Sequence, residues 1–315
     1  MREASEFGVR TQSAFEKEPL KKYFLVFEGQ KTEFLYFKAI NEMKLNIGIN
    51  PLVELVHIER SYYEAGWSNP KIIVNQLSND LDESKHNCIS FTRLFNKVID
   101  YFVSNKKISD NRALFNRVRY EFDKFRCKQF GVPECCDVSD VEKACGELLN
   151  IINRIYDLKY VIDNFSEILN YGEITYDFNV DEMCVIVDRD SKSFISKTGN
   201  NQYQYVLEEC NEKNFNLYVT NPCFEFWLLL HLVAANTIDK NSMLLNPLGH
   251  GKRTYAENEL RNIFSTYSKD NFDARHFVSK VDVAINNARC FCEDINGLEK
   301  EVGSNLGLLI ERMRQ

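Results

Sequence analysis

Three acidic residues stand where they can hold a divalent metal ion. Glu28 follows the unbroken apolar run Tyr23 to Phe27 (YFLVF), and Asp188 and Asp190 follow a second such run, Met183 to Val187 (MCVIV). Runs of this kind form strands buried on both faces of a parallel sheet, and the carboxyl ends of such strands line the crevice where α/β proteins bind ligands. Asp188 and Asp190 are two apart, which in extended backbone turns both side chains to one side. Carboxylates gathered in this way repel one another and raise their own pKa values unless a cation neutralises them. Hard oxygen donors suit Mg²⁺ or Mn²⁺. An acidic residue after a strand also serves as a cap or turn former, and Asp-x-Asp alone says little. The second strand, ending in Phe27, Glu28 and Gly29, is what strengthens the reading.

The elements around these acids read as follows. After Glu28 and Gly29, Thr32 makes a helix N-cap, and Phe34, Leu35, Phe37, Ile40 and Met43 recur at helical spacing. Leu52 to Ile58 and Leu217 to Val219 read as further strands, each followed by helical periodicity, so the fold class is α/β, a mainly parallel sheet with flanking helices. Between Gly66 and Gly131 there is no glycine, and Leu94, Phe95, Val98, Ile99, Phe102 and Val103 fall on one helical face. The pattern resumes from Val141 and runs towards Leu169. Residues 71–171 are therefore expected to be an all-helical insertion, residues 22–70 and 172–315 the α/β domain, and residues 1–21 a flexible segment. The last long helical stretch is Ala274 to Glu293, before a short carboxy-terminal helix ending in LLIERMRQ.

Asn221 and Pro222 read as N-cap and first residue of a helix carrying Phe224, Trp227, Leu228 and His231. Glu225 in this apolar helix is costly to bury without a partner, so it lies near the metal or pairs with an arginine. His231 reads as a satisfied core histidine.

With 39 basic against 46 acidic side chains, for a net charge of -7, no global field draws the chain of 315 residues onto a polyanion. Nucleic-acid contact must be local, and Lys106, Lys107, Arg112, Arg117, Arg119, Lys124, Arg126 and Lys128, interleaved with Phe115, Tyr120, Phe122, Phe125 and Phe130, could supply it. A charge-rich helix with an aromatic core face explains the same pattern. The 10 cysteines include no C-x-x-C pair, so no structural zinc is expected, and reduced thiols are the default. No export signal or membrane-length apolar stretch is apparent, which places the chain in the cytoplasm with no membrane partner.

The string EGQKTEFLYF from Glu28, VDRDS from Val187 and NPCFEFWLLLH from Asn221 together resemble the RloB/AbiLii-like family, with TYSKDNF from Thr266 and AINNAR from Ala284 as weaker matches. The resemblance covers residues 22–60 and 180–312. It implies a Toprim fold, the catalytic module of topoisomerases, primases and overcoming-lysogenization-defect nucleases. It also implies a link to phage-abortive and restriction systems, beside a partner ATPase. On that resemblance Asp188 and Asp190 hold a metal at the scissile phosphate, Glu28 ligates it or acts as general base or acid, and Glu33 completes a second metal site or simply complements the helix dipole. Lys269 matches the family's tyrosine, any residue, lysine pattern and would be the cation aimed at the transition state. Lys252 and Arg253 lie in a glycine-rich turn that lacks Walker A spacing. The expected function is a nuclease effector of anti-phage defence acting on DNA or RNA, with homo-oligomerisation left open. The alternative is a non-catalytic Toprim-type sensor docking on the ATPase. Two departures stand out: 160 residues separate Glu28 from Asp188, and GSNLGLLIERM leaves the role of Asn305 open.

Overall fold

A computed structural model describes residues 2–3, 21–29, 31–59, 69–86, 89–109, 111–158, 168, 176–190, 194, 201–249 and 253–315. Residues 1 and 4–20 of the expected flexible segment, the far end of the helical stretch at Leu169, and Lys252 lie outside them; Arg2–Glu3 form a two-residue strand and Lys21 begins another, so those three positions are ordered. The chain divides into two compact units, the larger comprising residues 4–58, 68–75 and 176–315 and the smaller residues 1–3, 59–67 and 76–175.

The larger unit is a mixed α/β structure. Its strands are β1 (Lys21–Phe27), β2 (Val53–Glu59), β3 (Glu182–Asp188), β4 (Asn216–Asn221) and β5 (Gly303–Ser304), in the spatial order β2, β1, β3, β4, β5. The first four are mutually parallel and β5 runs antiparallel to β4. Apolar side chains on both faces explain why β1 and β3 occupy the centre: Phe24, Leu25 and Val26, and Met183, Cys184 and Val185, are all fully buried. In register, Phe27 faces Ile186 and Leu25 faces His57. The chain leaves β1 to one side to form β2 and returns on the other side as β3. The strand order therefore reverses between β1 and β3.

Helix α1 (Thr32–Glu42) follows β1. Its N-cap is Lys31, not Thr32, because the Thr32 hydroxyl is drawn away to donate to the carbonyl of Lys269 at 3.0 Å. The smaller unit takes most of α2 (Pro70–His86) and all of α3 (Phe91–Ser104), α4 (Arg112–Gln129) and α5 (Val141–Tyr156). Ser90, Asn111 and Asp140 cap α3, α4 and α5 with side-chain oxygens. Phe91, Leu94, Phe95, Val98 and Phe102 pack with Phe115, Val118, Phe122, Leu148 and Ile152 in a core of their own. Among the described residues no helix is long and apolar enough to cross a membrane.

After β3 come α6 (Tyr203–Glu212), β4, α7 (Phe224–Leu229), α8 (Lys240–Leu245), α9 (Tyr255–Ile263), α10 (Ala274–Val278), α11 (Val281–Ala288) and α12 (Leu306–Met313). Two sequence expectations are corrected here. Asn221 is the last residue of β4, its peptide bond to Pro222 is cis, and Cys223 is the N-cap of α7. The stretch from Ala274 to Glu293 is two short helices with a break at Ser279 and Lys280. Val278 and Val281, three apart across the break, are both buried, so the apolar spacing outlasts the interruption.

Two polar clusters hold this core. His231 is fully buried, with Nδ1 donating to the Trp227 carbonyl at 2.9 Å and Nε2 accepting the Tyr36 hydroxyl at 3.0 Å. Burial drives its pKa down to about 3, so the ring is neutral, as a satisfied core histidine should be. Asn305 accepts from the Val219 amide at 2.7 Å and donates to the Leu217 carbonyl at 3.2 Å, tying the start of α12 to β4. Its role is structural.

Gly303 carries the adjoining edge: a Cβ there would meet the backbone carbonyl of Cys292. Gly303→Ala should therefore cost about 1–3 kcal/mol by overpacking. Gly146, inside α5 with nothing within 4 Å of an added Cβ, offers the opposite case: Gly146→Ala should gain about 0.5–1 kcal/mol. Urea unfolding followed by circular dichroism checks both signs, and equal midpoints for the two variants would refute the account.

Candidate active site

The acids converge at the reversal point between β1 and β3, where the ends of two adjacent strands point their following residues into one crevice. The Glu28 amide donates to the Ile186 carbonyl at 3.0 Å, and the Glu28 carboxylate accepts the Asp188 amide at 3.0 Å. These bonds join residues 160 apart in sequence. Asp190 lies two residues on, partly exposed, in the backbone that follows β3. Between them, the Arg189 guanidinium lies 5.6 Å from the Phe194 ring and 5.8 Å from the Tyr203 ring, and donates to the Asp190 carbonyl at 3.0 Å.

Two further carboxylates close the crevice from the helices. Glu33, in the first turn of α1, is 6% exposed, and its carboxylate lies directly over Gly29, where a Cβ would collide with it. Burial raises its pKa, Glu225 raises it further, and Lys269 and the backbone amides of Glu33 and Gly29 act the other way. Glu225, in the first turn of α7, is 3% exposed. Its partner is a lysine rather than the expected arginine: Lys269 Nζ stands 2.9 Å from Oε1, and the Tyr267 hydroxyl donates to the same oxygen at 3.1 Å. Burial alone would push Glu225 up, but Lys269, helped by the Cys223 thiol and the backbone amide of Glu225, holds the carboxyl below its ordinary value. The lysine is correspondingly held above its own.

Asp188 takes the remaining strain. Its carboxyl is pushed well above the ordinary carboxylate range, first by burial and then by Glu33, Glu28, Glu225 and Asp190. Glu28, Glu33, Asp188, Asp190, Glu225 and Lys269 are thus one electrostatic unit. Sequence reasoning used Tyr267 only as part of the pattern that points to Lys269, giving it no role of its own, and did not single out Cys223, whose thiol hydrogen-bonds Glu225. The signal for Tyr267 was present, because Tyr267 and Lys269 are two apart and share a side of extended chain. Asn221 is held elsewhere, donating to the Leu298 carbonyl at 2.9 Å.

Hard oxygen donors with a charge excess match the chemistry of Mg²⁺ or Mn²⁺. Among the described residues, however, no group of three His, Cys, Asp or Glu side chains stands arranged to hold a metal as placed. Ligation by these groups would therefore require side-chain rotation.

The basic residues of the smaller unit are largely committed within it. Arg119 pairs with Glu134, Arg126 bonds Asp123 and the Val132 carbonyl, Lys124 lies over Tyr120 at 4.2 Å, and Lys107 donates to the Tyr101 hydroxyl at 3.2 Å. Phe115 and Phe122 are buried in the helical core and cannot stack on bases, whereas Tyr120 is 60% exposed. Lys106, Arg112, Arg117 and Lys128 are exposed.

A model of RloB-like proteins matches residues 23–313, so the chain belongs to the RloB-like family. No curated protein and no solved structure matches it.

The raised Asp188 carboxyl gives a signed prediction. A folded-state pKa above the unfolded one adds stability that is whole below the unfolded value and lost as pH rises through the folded one. Metal-free Asp188→Asn should therefore melt about 2–4 °C above the native chain near neutral pH, with the gap closing as the pH falls towards the ordinary carboxylate range. A gap of the same size across that range would show that the charge of Asp188 is not what costs stability.

Proposed function

We propose that this RloB-like protein is a metal-dependent nuclease of Toprim type. The observation carrying this reading is the convergence of Glu28, Asp188 and Asp190 at the strand-order reversal, with Glu33, Glu225 and Lys269 around them. Mg²⁺ or Mn²⁺, held by Glu28, Asp188 and Asp190, would polarise a phosphodiester and offset its developing charge. Glu28, on the backbone amide of Asp188, is placed to take or return a proton as well as to ligate. Lys269 brings a fixed positive charge to the same crevice. The net charge of -7 argues that a polyanionic substrate is admitted only where cations are concentrated.

The family resemblance supports a role as effector in anti-phage defence, cutting DNA or RNA when a partner ATPase signals infection. A second reading, a sensor subunit whose site binds without cleaving, is favoured by one observation: no three-ligand arrangement stands ready among the described residues. Purified chain incubated with plasmid DNA, single-stranded DNA and bulk tRNA in Mg²⁺ or Mn²⁺ separates the two readings. The nuclease reading expects cutting that EDTA abolishes and that falls at least ~10²-fold in the Asp188→Ala/Asp190→Ala variant. Cutting that survives the double substitution would sink it.

A further inference from the structure

We propose that the exposed face of α4 in the smaller unit docks single-stranded nucleic acid, with Tyr120 stacking on an unpaired base and Arg117, Lys124 and Lys128 meeting the phosphates beside it. The inference goes beyond the nuclease reading and stands whether or not the larger unit cleaves. Two sides of the helix differ in kind. Phe115, Val118 and Phe122 are buried in the helical core. At 3.6 residues per turn, Arg117, Tyr120, Lys124 and Lys128 fall within about 80° of one another on the opposite side, and all four are exposed. From Arg117 to Lys128 the row covers about 16 Å of helix surface.

Charge and chemistry name the occupant. Glu121 is the carboxylate that touches this face, and it is shared by two cations, standing 3.5 Å from Lys124 and 3.8 Å from Arg154 of α5. Among the described residues Arg117 and Lys128 have no ion-pair partner. In a chain of net charge -7 such a row is a local positive field, which draws a polyanion to this place and not to the rest of the surface. Tyr120 is 60% exposed, and Lys124 Nζ lies 4.2 Å from the centre of its ring. A lone exposed tyrosine is ordinary, but one set among cations combines the two contacts that hold an unpaired strand, base on ring and phosphate on charge. A duplex keeps its bases stacked inside and offers the ring nothing. A lipid surface calls for several large apolar side chains beside the cations, and among the described residues of α4 Tyr120 is the one that is exposed.

The test is fluorescence anisotropy of labelled oligo(dT), oligo(rU) and a mixed-sequence duplex with the full chain, in EDTA to suppress metal-dependent cutting and with circular dichroism to confirm folding. The native chain should bind the single strands more tightly than the duplex, and the tighter of the two homopolymers names the sugar. Tyr120→Ala should weaken single-strand binding at least ~5-fold and leave the duplex unaffected, whereas Tyr120→Phe keeps the ring and should bind as the native chain does. Arg117→Gln/Lys124→Gln/Lys128→Gln should flatten the slope of log K against log salt by about 2, three phosphate contacts at about 0.7 each. The proposal is overturned by a native chain that ignores oligonucleotides, by Tyr120→Ala binding undiminished, or by equal losses on single strand and duplex. Each of these leaves the nuclease reading standing, because the acids of the larger unit are untouched.

Discussion

Mutual repulsion among Glu28, Glu33, Asp188, Asp190 and Glu225 is the constraint that the larger unit is built to withstand. Two like charges 4 Å apart repel by about 4 kcal/mol at the effective dielectric of a protein surface, and here five acids share one crevice. The sheet supplies the counterforce. β1 and β3 are paired through their apolar stretches, Tyr23–Phe27 and Met183–Val187, and a slip of one residue in either would turn its buried side chains to the wrong face. The register that places Phe27 against Ile186 therefore also fixes Glu28 beside Asp188. Amide donors, Tyr267 and Lys269 then take up part of the charge, and Asp188 carries what is left.

The contrast with the polar groups of the core shows that this strain is local. His231 uses both ring nitrogens, and Asn305 makes three hydrogen bonds to β4, one of them through its own amide at 3.3 Å. The polar side chains of these two residues are satisfied where they are buried. Where every level of structure agrees except at one place, that place is the natural seat of function.

Much of this was legible in the sequence, because a strand buried on both faces is an unbroken apolar run and the first charged residue after it marks its end. Glu28, Asp188 and Asp190 were readable for that reason, and so was the helical character of the smaller unit, from the glycine-free stretch between Gly66 and Gly131 and the apolar spacing that resumes at Val141; its caps, Ser90, Asn111 and Asp140, were not singled out. Partnerships across the fold were not readable. Thr32 sits where a cap belongs, yet a carbonyl 237 residues away claims its hydroxyl. Asn221 and Pro222 look like a helix start, but β4 continues through Asn221 to pair with Gly303, and a cis bond turns the chain before α7 begins. Glu225 announced the need for a cation without naming it, since the lysine that answers lies on a loop 44 residues further along the chain.

The long separation of Glu28 from Asp188 does not count against a shared site. Closing a longer loop costs little more than closing a short one, because the entropy grows only with the logarithm of length. The helices of the smaller unit pack on a core of their own. Three of its helices carry their own side-chain caps, and Phe91, Phe95, Phe115 and Phe122 are buried within that core. The adjacency of β1 and β3 thus depends on strand pairing and not on chain proximity, and the acids it brings together would survive wide variation in what lies between.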